Sequence, residues 1–192
     1  MLLNHSIIRE KSAREKTLPQ GFLWAGNGIF RSVERAEFKA IVPYVSVETP
    51  GLPEINTKFQ LLVPQVPQTK VQAIIEQINQ YPNLEQLFYL YWRGTNWEVV
   101  KPEQECTANS CLCLEAFPEP AVIEIHSHGC MGAFFSSTDD AEETGCRIST
   151  VIGRQKGQLE IISRVCVHGL FMIIDSHHLY ATIEDYCRVK YS

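Results

Sequence analysis

The sequence predicts a mixed α/β protein. Short runs rich in β-branched and aromatic residues recur along the chain, while one segment, VQAIIEQINQ, has helical spacing instead. From residue 70 onward the order is a helix, a strand pair, then a strand leading through a loop into a second helix. At 192 residues the chain can bury a full core, and one domain with an extension is the natural division. The expected bounds are an N-terminal extension of strands and loops over 1–65 and a main domain over 66–192.

The elements follow in order. The first 20 residues are polar and mixed in charge, as in a loosely tied arm, and REKSAREK reads as a solvated stretch. GFLWAGNGIF and AIVPYVSV read as strands separated by the charged piece RSVERAEFKA. The prolines of TPGLPEINTKFQLLVPQVPQ restrict that passage to edge strands and loops, because proline cannot donate to a ladder. Val71, Ile74, Ile75 and Ile78 recur at spacings of 3 and 4, which predicts an amphipathic helix ending before Tyr81 and Pro82. LEQLFYLYW and TNWEVVKP then form a strand pair, and AVIEIHSH is a strand. SSTDDAEET opens a short helix. RISTVIG, LEIISRVCV and GLFMIID are further strands, and LYATIEDYCRV is a last strand or short helix.

Composition narrows the function. A net charge of −5 and a pI near 5.7 argue against nonspecific binding to nucleic acid or an anionic membrane, which needs a basic face. The apolar runs LFYLYW and GLFMII are far shorter than the roughly 20 residues that cross a bilayer. The N-terminus lacks the apolar core and cleavage site of a secretory signal, so the expected location is the cytoplasm. Seven cysteines, an odd number, then argue against a disulfide framework. CTANSCLC matches no common zinc spacing and reads as small buried or loop cysteines.

One segment carries chemistry: EIHSHGCMGAFFSSTDD, residues 124 to 140. In a strand, His126 and His128 point to one face, so two imidazoles can converge on one ion. Asp139 lies 11 residues after His128, in the first turn of the expected helix, and a loop of that length can fold back beside the histidines. Two histidines and one carboxylate leave a position open for water, the pattern of catalytic zinc. Ser136-x-x-Asp139 is also a helix N-cap pattern, which needs no metal. The two roles are compatible, since a capped helix start holds Asp139 in place.

The string His126-x-His128-x7-Ser136-x-x-Asp139 resembles the JAMM motif of the JAB/MPN metalloproteases, which include deubiquitinating isopeptidases. HSHGCMGAFFSSTDD is similar to a prokaryotic branch of that family, that of the PRTRC system A proteins. The resemblance runs from about residue 26 to the C-terminus and is weak before residue 65. It implies a mixed β-sheet flanked by helices, layered as in cytidine deaminases, behind an N-terminal β-rich extension. It implies Zn²⁺ on His126, His128 and Asp139, which acidifies its water. It also implies an upstream glutamate as general base, and Glu85 matches in position; Glu76, Glu98 and Glu48 are alternatives. The implied reaction is hydrolysis of a peptide or isopeptide amide, with Ser136 donating to the developing oxyanion. The implied substrate is a protein or peptide, with a ubiquitin-like tail, a partner's C-terminus or a small amide as the choices. No ubiquitin-clasping insertion stands out.

Two departures bear on the site. Many members of that family have proline after the second histidine, and Gly129 here is expected to loosen the loop. Cys130 either closes the fourth metal position or, as favoured, points into the core; Asp140 could replace Asp139, though the spacing favours Asp139. Other H-x-H readings match less well. An amidohydrolase barrel needs about 250 residues, and the H-x-E and P-C-x-x-C of a zinc deaminase do not occur. His168, His177 and His178 read as structural or surface residues. The alternatives to an enzyme are a noncatalytic scaffold of the same family and a zinc-stabilised interaction module.

Overall fold

The computed structural model describes residues 4–8, 21–116 and 120–192. It divides the chain into two compact units, Met1–Val63 with Leu170–Met172, and Pro64–Gly169 with Ile173–Ser192. Both are sheet-dominated, and the whole is mixed α/β. Among the described residues no helix is long and apolar enough to cross a membrane.

The N-terminal unit is a five-stranded sheet in the order β1 (Asn4–Ile7), β2 (Gly21–Ala25), β3 (Gly28–Glu34), β4 (Phe38–Val45) and β5 (Lys58–Leu61). Neighbours run antiparallel except β1 and β2. Ile8, Leu23, Ala25, Phe30, Ile41 and Ile55 form its core. Two expectations are corrected here. GFLWAGNGIF is not one strand but two, turning at Gly26–Asn27, and most of RSVERAEFKA lies within β3 and β4. A sheet with one wet face tolerates Arg31, Glu34 and Lys39 in its strands, so charge there did not mark a break. β5, from the proline-rich passage, lies at the sheet edge. REKSAREK and most of the expected arm lie outside the described residues.

The second unit begins with α1 (Gln68–Gln80), whose Val71, Ile74, Ile75 and Ile78 are buried. Then come β6 (Gln86–Trp92), β7 (Trp97–Val100), β8 (Gln104–Cys106), β9 (Cys111–Cys113), β10 (Ile123–Ser127) and α2 (Ser137–Glu142). β11 (Cys146–Gln155), β12 (Gln158–Val167), the Ile173–Ile174 end of β13 (Leu170–Ile174) and β14 (Arg188–Val189) complete it. The main sheet runs β13-β12-β11-β10-β6-β7, with β14 on β12. It is mixed: β10 is parallel to β11 and antiparallel to β6. LYATIEDYCRV becomes a 3₁₀ turn at Ile183–Asp185 followed by β14.

β10 has two different faces. Ile125 joins Ile74, Ile75, Ile152 and Ile161 around a small apolar space beneath α1. Glu124, His126 and His128 line a cavity on the opposite side. The period-2 alternation of a strand thus separates the core from the polar site within five residues.

One local cysteine pair is unexpected, while the other five cysteines form no disulfide among the described residues. β8 and β9 form a hairpin in which Cys106 stands opposite Cys111, and the two are disulfide-bonded. The hairpin register makes this pair, and a spacing of five residues in the sequence does not reveal it. Neither cysteine is buried.

Candidate metal centre

Ser127, the residue between the two histidines, points away from them and accepts a hydrogen bond from Gln86 N at 3.0 Å. It thereby ties β10 to the start of β6. The ladder pairs Ser127 with Gln86, so one step further Glu85 stands across from His128. The β8–β9 hairpin secures the same corner: Glu85 N donates to Thr107 O at 2.8 Å and Leu87 N to Gln104 Oε1 at 2.8 Å. Glu85 is therefore held by its backbone, and its carboxyl faces the cavity.

The loop after His128 begins with Gly129 at φ +52°. Proline cannot adopt that angle, so glycine is what this left-handed bend requires rather than a source of looseness. Met131 N donates to His128 O at 2.8 Å, and Arg154 N to Met131 O at 2.6 Å. Gly132 O then lies 3.3 Å from His128 Nδ1. A carbonyl only accepts, so Nδ1 carries the proton and Nε2 offers its lone pair. The loop ends in a capping box at α2. Ser136 N and Oγ donate to Asp139 Oδ2 at 2.6 and 2.7 Å, and Asp139 N donates to Ser136 Oγ at 3.2 Å. The cap uses Oδ2 and leaves Oδ1 facing His126.

Three donor atoms converge as a result. His126 Nε2 lies 3.2 Å from His128 Nε2 and 3.4 Å from Asp139 Oδ1. Ligands of a tetrahedral ion with bonds of about 2.0–2.1 Å lie about 3.3 Å apart. His126, His128 and Asp139 together could hold a metal ion. Burial holds His126 down at about 4, and it lowers His128 as well. Both imidazoles are therefore neutral near pH 7, the form that ligates.

The three donors open into a cavity of about 650 Å³ that also takes in Glu85, Ser136, Tyr89, Glu124 and Arg147. Burial, then the charge of Asp139, pushes the Glu85 carboxyl up to about 7. Burial also raises Glu124, against the pull of Arg147, which bridges Glu124 and Glu143 at 2.7 Å each. Of the other proposed bases, Glu76 is exposed and bonded by Gln72, Glu98 is exposed beside Arg93, and Glu48 is exposed in the N-terminal unit. Asp140 is bonded instead by the buried Arg164 and is not among the converging donors. Cys130 does not point into the core: it is exposed, with Sγ 3.0 Å from Asn83 Oδ1. Residues missed by sequence reasoning are Ser127, Gln104 and Gly132, which act on the site through hydrogen bonds that no spacing announces.

A raised carboxyl has a stability signature. The folded value for Glu85 is about 7 against an ordinary 4.5, so its favourable contribution is complete below pH 4.5 and is lost as pH rises through 7. In metal-free protein, Glu85→Gln is expected to be more stable than wild type at pH 8, on the order of 2 kcal/mol after allowance for solvent screening. The difference should vanish near pH 4.5. Denaturant titrations of both proteins across this range check it.

In comparisons with known proteins, no family model matches the chain and no curated sequence matches it.

Proposed function

We propose that the protein is a zinc-dependent peptidase or isopeptidase of the JAB/MPN type, with the second unit as its catalytic domain. The observation that carries this reading is the convergence of three neutral-or-anionic donors, His126 Nε2 lying 3.2 Å from His128 Nε2 and 3.4 Å from Asp139 Oδ1, in one cavity with the Glu85 carboxyl. Zinc suits a His₂-carboxylate set, and when bound there it supplies Lewis-acid polarisation of a carbonyl and acidification of water.

The chain's own residues do the rest. Glu85, whose carboxyl lines the same cavity as the three donors, takes a proton from the attacking water and returns it to the departing amine. Gly132 O fixes the His128 tautomer, and Ser136 orients Asp139 through Oδ2. The single Ser136 hydroxyl proton goes to Asp139 here, so a role toward the oxyanion requires that hydroxyl to turn. The substrate in this reading is a protein or peptide amide. The alternative, a noncatalytic scaffold of the same family, draws on the capping box, which accounts for Ser136 and Asp139 without metal.

Zinc-loaded protein should hydrolyse peptide or isopeptide amides in a panel of fluorogenic substrates. A chelator should abolish the activity and zinc restore it. Zinc retention without turnover on every substrate would favour the scaffold.

A further inference from the structure

Three features on the far side of the metal loop belong to no part of the motif. They are Glu160 on β12, Lys190 just after β14, and the carbonyl of Ala133. Ala133 is fully buried, and its oxygen accepts a hydrogen bond from Lys190 Nζ at 2.7 Å. Lys190 reaches the loop from 57 residues away in the chain. Its backbone is fixed too, since Lys190 N donates to Ile161 O at 2.8 Å and β14 pairs with β12.

Glu160 explains why a lysine sits there. It is 1% exposed, and Arg188 pairs with its Oε1. Its Oε2 has no hydrogen-bond partner among the described residues, and Lys190 Nζ lies 3.8 Å away. A buried carboxylate needs opposite charge close by. The same Oε2 lies directly under Gly132, 3.2 Å from where a Cβ would stand. Glu160 thus holds Lys190, and Lys190 holds the Ala133–Phe134 peptide, which is next along the chain from the Gly132–Ala133 peptide that carries Gly132 O. Gly132 O is in turn the acceptor that sets which nitrogen of His128 carries the proton.

We propose that Lys190 and Glu160 are positioning residues for the metal centre, with the C-terminal segment fixing the metal-ready tautomer of His128 through the loop at 131–133. The inference rests on the metal site in the functional reading above. Groups that orient a ligating histidine typically alter metal affinity by about 10- to 100-fold when removed.

The test uses the full chain and the variants Lys190→Met and Lys190→Arg, with two readouts. The first is the ¹⁵N chemical shift pattern of His128 in metal-free protein at pH 8, which reports the tautomer. The second is zinc affinity by competition with a chromophoric chelator. Wild type and Lys190→Arg should show one Nδ1–H tautomer. Lys190→Met should show a mixture and bind zinc at least about 10-fold more weakly. An unchanged His128 tautomer in Lys190→Met overturns the proposal. A wild type that takes no zinc would sink the functional reading instead, and the tautomer alone then decides this one. Should Lys190→Met fail to fold, Glu160→Gln is read in the same two ways.

Discussion

Glu85→Gln should lose at least about 10²-fold in turnover while keeping its metal, the range expected when a general acid–base group is removed. The substitution keeps the size of the side chain and its place at the start of β6, since Glu85 is held there through its own N–H to Thr107 O. It removes the only feature the proposed proton transfer uses, a carboxyl near 7 beside the three donors. The three donors are untouched, so zinc content should stay at the wild-type level. Steady-state rates and elemental analysis on the same preparation check both halves. Loss of metal together with activity would place Glu85 among the ligands, and retained activity would remove it from the mechanism.

Gly153→Ala should be the most damaging single methyl in the second unit. A Cβ at Gly153 would stand 2.3 Å from Ala133 N and from Gly132 C, and 2.6 Å from Met131 O. These are backbone atoms, so no side chain can swing aside. The loop must lift from β11, which breaks Arg154 N to Met131 O and carries Gly132 O away from His128. Zinc affinity should fall by about 10- to 100-fold or more, with a stability loss of about 1–3 kcal/mol from overpacking. Gly132→Ala is the graded control. Its Cβ meets a side-chain atom, Glu160 Oε2, at 3.2 Å, so a shift of a few tenths of an ångström replaces a collision with backbone. Zinc titration and thermal unfolding of the pair should rank Gly132→Ala well above Gly153→Ala.

The parts of the site legible in the sequence are those whose geometry is local. Alternation put His126 and His128 on one strand face, and the spacing of Ser136 and Asp139 is that of a capping box because both partners lie within one helical turn. The face of α1 was legible for the same reason. What could not be read depends on partners brought together by the sheet. Gly153 looks like an ordinary glycine in a strand until β11 is laid against the loop at 131–133. Lys190 looks like a surface lysine near the chain end until β14 pairs with β12. Cys106 and Cys111 meet only in the register of a hairpin. In the N-terminal unit, charge in RSVERAEFKA hid strand residues because the wet face of an antiparallel sheet carries the same residue types as a loop.

The central claim is that His126, His128 and Asp139 hold zinc, and metal content tests it most directly. Wild type and Asp139→Ala should be purified side by side and measured by elemental analysis. The account predicts about one zinc per chain in wild type and little in the variant. No metal in wild type, even after incubation with zinc and removal of the excess, would contradict it and leave Ser136 and Asp139 as a helix cap alone.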